Sequence, residues 1–371
     1  MPEADAPGGE PLLRFIDVHK QAADGRSVLT GLDLDIHRGE FLTLLGPSGG
    51  GKSTTLMMLA GFDTPTSGDI LFKGQSIAEI PVYQRHFGVV FQNRALFPHL
   101  TALQNVTYPL HMRGVARAEA TKRAKEMLAM VGLQSIGDEH PARLPAGEQQ
   151  RVALARALVF DPEVVIMDEP LAALDVTLAH RMQREISRLH ESLGNTVIYA
   201  TQDQSEAIAL ADRIAILHDG RIQQSGTPEA LYERPDTTFV AGFMGETNML
   251  PGTVTSMSEK LCEVTLDSGE KVTATAANVS GAGARTTLAI RPERVLVDPP
   301  DGAPNRYACT VLASSFRGDY SLLRLRLGSG VELVAKTHPD LSPTPLAAGD
   351  EAHVGWLAHH CRALELHKDA D

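Results

Sequence analysis

Residues 46 to 54 read Gly46-Pro47-Ser48-Gly49-Gly50-Gly51-Lys52-Ser53-Thr54, with an apolar run, residues 41–45, before them and a helical pattern, residues 53–60, after them. A glycine-rich turn leading straight from a buried strand into a helix commits this part of the chain to an α/β fold. Glycine lets the backbone N–H groups point inward, forming a nest for anionic oxygens at the positive end of the helix. In that strand–loop–helix context the spacing G-x4-G-K-[ST] is a phosphate-binding loop. Gly46, Ser48, Gly49, Gly50, Gly51 and Thr54 frame the cradle, Lys52 reaches the β- and γ-phosphates, and the Ser53 hydroxyl ligates Mg²⁺. A nucleoside triphosphate, bound with its magnesium ion, is the expected ligand.

A second element stands about 115 residues further on, where Val164-Val165-Ile166-Met167-Asp168-Glu169 places two carboxylates at the end of an apolar run. The carboxyl ends of the strands are where open α/β sheets hold their ligands. Asp168 is expected to hold Mg²⁺, and Glu169 to orient or deprotonate an attacking water. Such a run is commonplace alone and gains its meaning from the phosphate loop before it.

Short apolar runs at 41–45, 164–167, 196–200 and 214–217 are bounded as buried parallel strands are. Residues 94–157 read as mostly helical, with Met127, Met130 and Val131 at heptad-like spacing, and form an insert between the halves of the core. After about residue 245 the pattern becomes period-2 alternation with Gly turns, as in Cys262-Glu263-Val264-Thr265-Leu266-Asp267-Ser268-Gly269. This tail also repeats itself. Leu266-Asp267-Ser268-Gly269-Glu270-Lys271-Val272-Thr273-Ala274 resembles Leu327-Gly328-Ser329-Gly330-Val331-Glu332-Leu333-Val334-Ala335, and Gly252-Thr253-Val254 resembles Cys309-Thr310-Val311. Two small β-barrel units are the simplest expectation.

The 371 residues carry a formal net charge of −12, which argues against nucleic acid as the main partner. Cys262, Cys309 and Cys361 match no zinc or disulfide spacing and fit a reducing cytosol. The opening Met1-Pro2-Glu3-Ala4-Asp5 is polar and acidic, unlike a signal peptide. No stretch approaches the ~20 apolar residues of a membrane helix, so any membrane association is expected to run through a partner.

Further runs complete an ordered set: Val90-Phe91-Gln92-Asn93, then Leu96-Phe97-Pro98-His99-Leu100-Thr101, then Gln149-Gln150-Arg151-Val152-Ala153-Leu154-Ala155-Arg156-Ala157-Leu158. Pro170-Leu171-Ala172-Ala173-Leu174-Asp175 and Gly242-Phe243-Met244-Gly245-Glu246-Thr247-Asn248 follow. Across nearly its whole length the chain resembles the ATP-binding subunits of ABC transporters, in the importer branch with a C-terminal extension. The resemblance implies an α/β P-loop NTPase core (RecA-like) with an α-helical subdomain at about 94–157, over residues 1–240. An all-β, OB-like TOBE domain would follow over 241–371. It also implies ATP and Mg²⁺ as cofactors and a head-to-tail dimer with a second copy. The subunit would dock on integral membrane permease subunits at the cytoplasmic face, with a substrate-binding protein as indirect partner and no nucleic acid. Gln92 would sense the γ-phosphate and the metal, and Asp175 would sit in the D-loop. The run 96–101 would lie where a permease helix docks, with Leu96, Phe97 and Leu100 as its apolar cluster. The run from Gly242 to Asn248 points toward polyamine-, iron- and phosphonate-type importers, polyamine first.

Three departures from the family pattern matter. Where the family has L-S-G-G-Q, facing the partner's γ-phosphate, this chain has Leu144-Pro145-Ala146-Gly147-Glu148. Pro145 lacks both hydroxyl and N–H, and an ionised Glu148 repels phosphate, although Gly147 remains to face the nucleotide. The switch-histidine position is Gln202, whose amide donates a hydrogen bond but cannot carry a proton. The segment after the first strand, Val18-His19-Lys20-Gln21-Ala22-Ala23-Asp24-Gly25, has no aromatic to stack on adenine, leaving His19 as the one substitute. Two outcomes stay open at this point: normal transport-coupled hydrolysis, and a degenerate regulatory subunit that binds ATP and scarcely hydrolyses it. A soluble, non-transport ABC ATPase is the alternative of a different class.

Overall fold

The computed structural model describes residues 9–172, 174–300, 303–338 and 346–365; Ala173 and the opening five residues lie outside them. The chain divides into two compact units, Met1–Pro228 and Glu229–Asp371. The boundary expected at residue 240 falls inside the second unit, because the short helices over 228–233 and 238–243 group with the strands that follow.

In the first unit the strands are β1 Leu13–Gln21, β2 Ser27–Ile36, β3 Phe41–Leu45, β4 Ser67–Phe72, β5 Gln75–Ser76, β6 Gly88–Val90, β7 Val164–Asp168, β8 Thr196–Thr201, β9 Arg213–His218 and β10 Arg221–Gly226. The helices are α1 Lys52–Ala60, α2 Ala102–Met112, α3 Arg117–Met130, α4 Ala146–Leu158, α5 Val176–Leu193 and α6 Gln204–Leu210. A six-stranded sheet runs in the order β10-β9-β3-β8-β7-β6, parallel throughout except for β10. A four-stranded antiparallel sheet, β2-β1-β4-β5, accompanies it.

The central strands read as unbroken apolar runs because they are covered on both faces. Side chains alternate across a strand, so Phe41, Val165, Met167, Val197 and Tyr199 enter one core, while Leu42, Leu44, Val164, Ile166 and Ile198 enter the other. The first core is shared with α2, α3 and α4, so the helical insert packs on the sheet. Of the expected heptad residues, Met127 and Val131 are buried there, while Met130 is 37% exposed. The i, i+4 pair shares the inward face, and position i+3 has already rotated outward. Leu96, Phe97 and Leu100 are half-buried rather than an open apolar patch: Leu96 packs on the core and the Phe97 ring lies 4.7 Å from Tyr108.

The second unit opens with α7 Pro228–Glu233 and α8 Thr238–Phe243. Its strands are β11 Asn248–Met257, β12 Leu261–Leu266, β13 Lys271–Ala276, β14 Arg285–Ile290, β15 Leu296–Val297, β16 Asn305–Phe316, β17 Ser321–Leu327, β18 Glu332–Thr337, β19 Glu351–Trp356 and β20 Cys361–Leu364. Only one of the two expected barrels closes: β11-β12-β13-β20-β14 is a closed barrel, and β15-β19-β16-β17-β18 is an open five-stranded sheet. Both draw on one hydrophobic core around Trp356.

The repeat itself is real. Gly252 pairs with Leu266 and Val254 with Val264, before a bulge; Cys309 pairs with Leu327 and Val311 with Leu325, again before a bulge. The two glycine turns close alike, Leu266 N to Glu270 O and Leu327 N to Val331 O, each at 2.8 Å. The halves also exchange strands: β15, which follows β14, pairs with β19 of the second half, and β20, which follows β19, pairs with β14 of the first.

Candidate nucleotide-binding site

The phosphate loop forms where β3 ends at Leu45 and α1 begins at Lys52. A Cβ at Gly46 would lie 2.0 Å from the Leu217 carbonyl oxygen, so only glycine lets the loop leave the sheet here. Gly51 precedes the helix at φ 101°, a left-handed conformation that glycine alone adopts without strain. Ser48 and Gly49 are exposed, Gly50 is buried and Thr54 is half-buried. Lys52 is 4% exposed, and its ammonium donates to the carbonyl oxygens of Gly46 and Pro47, each at 2.8 Å. Burial lowers the Lys52 pKa, while Glu169 and Asp168 pull it back up.

The carboxylates at the end of β7 complete the arrangement. Ser53 Oγ donates to Asp168 Oδ1 at 3.0 Å, bringing together two residues 115 positions apart. Asp168 is 7% exposed, and burial raises its pKa against the lowering influence of Ser53. A desolvated carboxylate beside a hydroxyl is a pair of hard oxygen donors that a divalent cation would relieve, so the residues present fit Mg²⁺. Glu169 sits at φ 43°, left-handed backbone for a side-chain-bearing residue, with its N–H donating to Ala200 O at 2.9 Å. Strain of this kind collects at functional sites. Both of its carboxylate oxygens accept: Oε1 from Gln202 Nε2 at 2.7 Å, and Oε2 from Gln92 Nε2 at 3.2 Å.

Lys52, Ser53, Asp168, Glu169, Gln92 and Gln202 therefore form one neighbourhood. Two expected residues lie elsewhere among the described contacts. Asp175 caps α5, accepting from Leu178 N at 3.0 Å. Gly147 lies under the same Leu178, where a Cβ would come within 2.6 Å of Cδ2. Between them they fix the segment before α5 against the start of α4. Pro145 is the exposed N-cap of α4 and offers no side-chain cap; its carbonyl accepts from Glu148 N and Gln149 N, both at 3.0 Å. Gln149 Nε2 closes the loop onto Pro141 O and Leu144 O at 3.1 and 2.9 Å. His19, the one substitute for an adenine-stacking ring, pairs with Asp17 Oδ1 at 2.9 Å.

Sequence reasoning missed two arginines that brace the site. Arg85 donates to Met58 O, Leu59 O and Ile80 O at 2.7, 2.8 and 2.8 Å, satisfying carbonyls at the end of α1. Arg156 donates to Arg94 O and Ala95 O in the loop after Gln92. Arg85 sits in no pattern of its own, and Arg156 lies within the run 149–158 without any local signal that marks it as a brace.

The family model described as ABC transporter matches residues 29–172, and the one described as TOBE domain matches residues 288–364. The chain is 42% identical over 359 residues to the spermidine/putrescine import ATP-binding protein PotA of Rubrobacter xylanophilus, covering 96% of this chain and 94% of that one. It is also 42% identical over 311 residues to the Fe(3+) ions import ATP-binding protein FbpC 1 of Rhizobium meliloti, covering 83% and 86%. Among solved structures, the dimeric, post-hydrolysis ATP-binding cassette MJ0796 with ADP and Pi matches at 32% identity and TM-score 0.53, over 58% of this chain and 98% of that one. With relatives this similar across both of its units, and with the phosphate loop and paired carboxylates assembled as described, the chain belongs to the ATP-binding subunits of ABC importers that carry a C-terminal TOBE domain.

Proposed function

We propose that this subunit binds and hydrolyses MgATP as a head-to-tail dimer, docked at the cytoplasmic face of the membrane on the permease of a polyamine importer. The observation that carries the reading is the bonded set Ser53–Asp168 and Gln92–Glu169–Gln202 around the desolvated Lys52. Lys52 would exchange the Gly46 and Pro47 carbonyls for phosphate oxygens, while the loop N–H groups hold the remaining charge. Ser53, Asp168 and the Gln92 amide oxygen would hold Mg²⁺, whose chemistry is to neutralise charge on the phosphates. Glu169 would accept the proton of the attacking water at a carboxylate oxygen already oriented by two neutral amides. Gln202 would donate one hydrogen bond and take up no proton.

A second copy is supported by the exposed Pro145 and Ala146 at the start of α4, which need a facing partner to act on a phosphate. Permease docking beside Gln92 is supported by the exposed Phe62, at 52%, whose ring lies 5.5 Å from that of Phe91. Polyamine as cargo is supported by relatives named for spermidine and putrescine, two of which match this chain over 96% and 93% of its length, against 83% for the iron-named one. A second reading, a subunit that binds ATP and scarcely hydrolyses it, is favoured by Pro145 and Glu148 in the signature loop.

Titration calorimetry with MgATP tests the nucleotide site. Lys52→Ala removes a charge-assisted contact to two phosphates and should weaken binding about 100-fold. Equal affinities for the two proteins would overturn the reading.

A further inference from the structure

The loop after Gln92 is strained and is held at both ends. Arg94 and Ala95 are consecutive non-glycine residues at φ 61° and 44°. Left-handed backbone is disfavoured roughly tenfold for each such residue, and it persists only where the surroundings over-determine it. Arg156, from the last turn of α4, supplies that constraint. One arm of its guanidinium, Nη1, donates to Ala95 O at 2.8 Å, and the other, Nη2, donates to Arg94 O at 3.1 Å. The guanidinium carbon also lies 5.3 Å from the centre of the Phe97 ring, two residues further along.

The far side of the same loop is fixed by Asn105, whose Oδ1 also accepts from Arg156 Nη1 at 3.5 Å. Asn105 of α2 is fully buried and accepts from Phe97 N at 2.9 Å. Its amide donates to Phe97 O, Leu100 O and Thr101 O at 3.1, 3.2 and 3.0 Å. Arg156 therefore holds the entry to the loop and Asn105 its exit. Immediately upstream stands Gln92, whose amide contacts Glu169. Arg156 itself rides on the helix that begins at the signature loop, about 15 Å along the axis from Ala146.

We propose that Arg156 is a positioning residue: it latches the loop after Gln92, in its left-handed conformation, to the helix that follows the signature loop, so that a displacement of that helix displaces the Gln92 amide from Glu169. The proposal rests on the reading of Gln92 and Glu169 as nucleotide-site residues. The bidentate fork is the part that matters. A lysine keeps the charge and most of the stem, but its one nitrogen falls a bond short of both Nη positions, from which the fork meets Ala95 O and Arg94 O separately.

Amide hydrogen exchange on the full chain tests the latch. In Arg156→Lys, exchange over residues 94–101 should run about tenfold faster, the loss expected for a charge-assisted bond, while residues 41–45 and 164–168 stay as protected as in the wild type. Adding Ala95→Gly, which removes the left-handed penalty without touching Arg156, should bring the loop back toward wild-type protection. Unchanged exchange in Arg156→Lys would overturn the proposal. So would an equal rise at 164–168, which would make Arg156 a general packing residue, and so would a failure of Ala95→Gly to restore protection. Calorimetry with MgATP on the same wild-type sample separates the two levels: absence of ATP binding would sink the nucleotide reading, whereas the exchange result judges the latch alone.

Discussion

At the residue scale, the site sets buried charges against their solvation and against one another. Burial pushes Lys52 down and Asp168 up, each toward its neutral form, and the neighbouring groups of opposite sign limit both shifts. Glu206 lacks such relief. It is 7% exposed, and its Oε2 accepts from the hydroxyls of Tyr199 and Thr201, each at 2.8 Å. Those two bonds favour the carboxylate, yet burial outweighs them and Asp203 and Glu169 add repulsion, so its pKa is raised above the ordinary 4.5. The sign of the stability effect follows. A carboxyl whose pKa is higher folded than unfolded is held protonated by the fold, so the fold loses stability as pH rises from about 4.5 through the folded value. Glu206→Gln cannot ionise while its amide oxygen still accepts. Urea unfolding followed by circular dichroism should show wild type losing ground to Glu206→Gln between pH 5 and pH 8. A stability difference that stays constant across that range would refute the assignment.

At the scale of elements, the start of α4 is where the chain departs most from its family. The helix forms despite the change: the N–H that Pro145 lacks at the N-cap would have no partner within the helix, and Glu148 in the first turn complements the helix dipole. In the proposed head-to-tail dimer, Pro145 would offer no donor to a facing phosphate, and Glu148 would bring a charge of the wrong sign. Substituting Pro145→Ser, Ala146→Gly, Glu148→Gln and Gln202→His together should therefore raise steady-state ATPase activity by about 10²–10³-fold, the usual worth of a transition-state donor. The gain should exceed the combined gains of the single changes, because groups facing one phosphate act as a unit. Adding Glu169→Gln should abolish it. A native rate that the restored protein merely equals would show the loop to be competent as it stands. The same scale explains what could be read from the sequence alone. The central strands and α1 were readable because burial on both faces writes unbroken apolar runs and the phosphate loop demands its glycines. The loop from Arg94 to Thr101 was not: its left-handed residues are an arginine and an alanine, which carry no backbone signal, and its anchors Asn105 and Arg156 come from helices elsewhere in the chain. Nor does the spacing of Phe97 and Leu100 reveal that the Phe97 ring lies 4.7 Å from the Tyr108 ring, or that the Asn105 amide holds the backbone carbonyls of both residues.

At the scale of the whole molecule, two kinds of information organise the two units. The first is assembled by its ligand chemistry, with Ser53 and Asp168 meeting across 115 residues. The second is assembled by its own duplication. The repeat of the glycine hairpins was visible in the sequence, but the exchange of β15 and β20 between the halves was not, because a two- or four-residue strand has no pattern long enough to announce its partner. Two asparagines hold the exchange together in matching ways. Asn248, at the start of β11, accepts from Val334 N at 2.7 Å and donates to Val334 O at 2.9 Å and Ile290 O at 3.3 Å. Asn305, at the start of β16, accepts from Thr273 N at 2.8 Å and donates to Thr273 O at 2.9 Å and Trp356 O at 3.3 Å. Each side chain imitates a strand, pairing with both backbone groups of one residue in the opposite hairpin. Alanine at either position would leave a part-buried N–H and C=O without partners, at a cost of about 2–4 kcal/mol. Because the two sites are equivalent, Asn248→Ala and Asn305→Ala should destabilise the second unit by amounts within about 1 kcal/mol of each other. Trp356, the single tryptophan of the chain, is fully buried in that unit's core, so its fluorescence reports this unfolding alone. A large loss in one variant beside no loss in the other would mean that the symmetry is a matter of shape, and that only one of the two ties carries the fold.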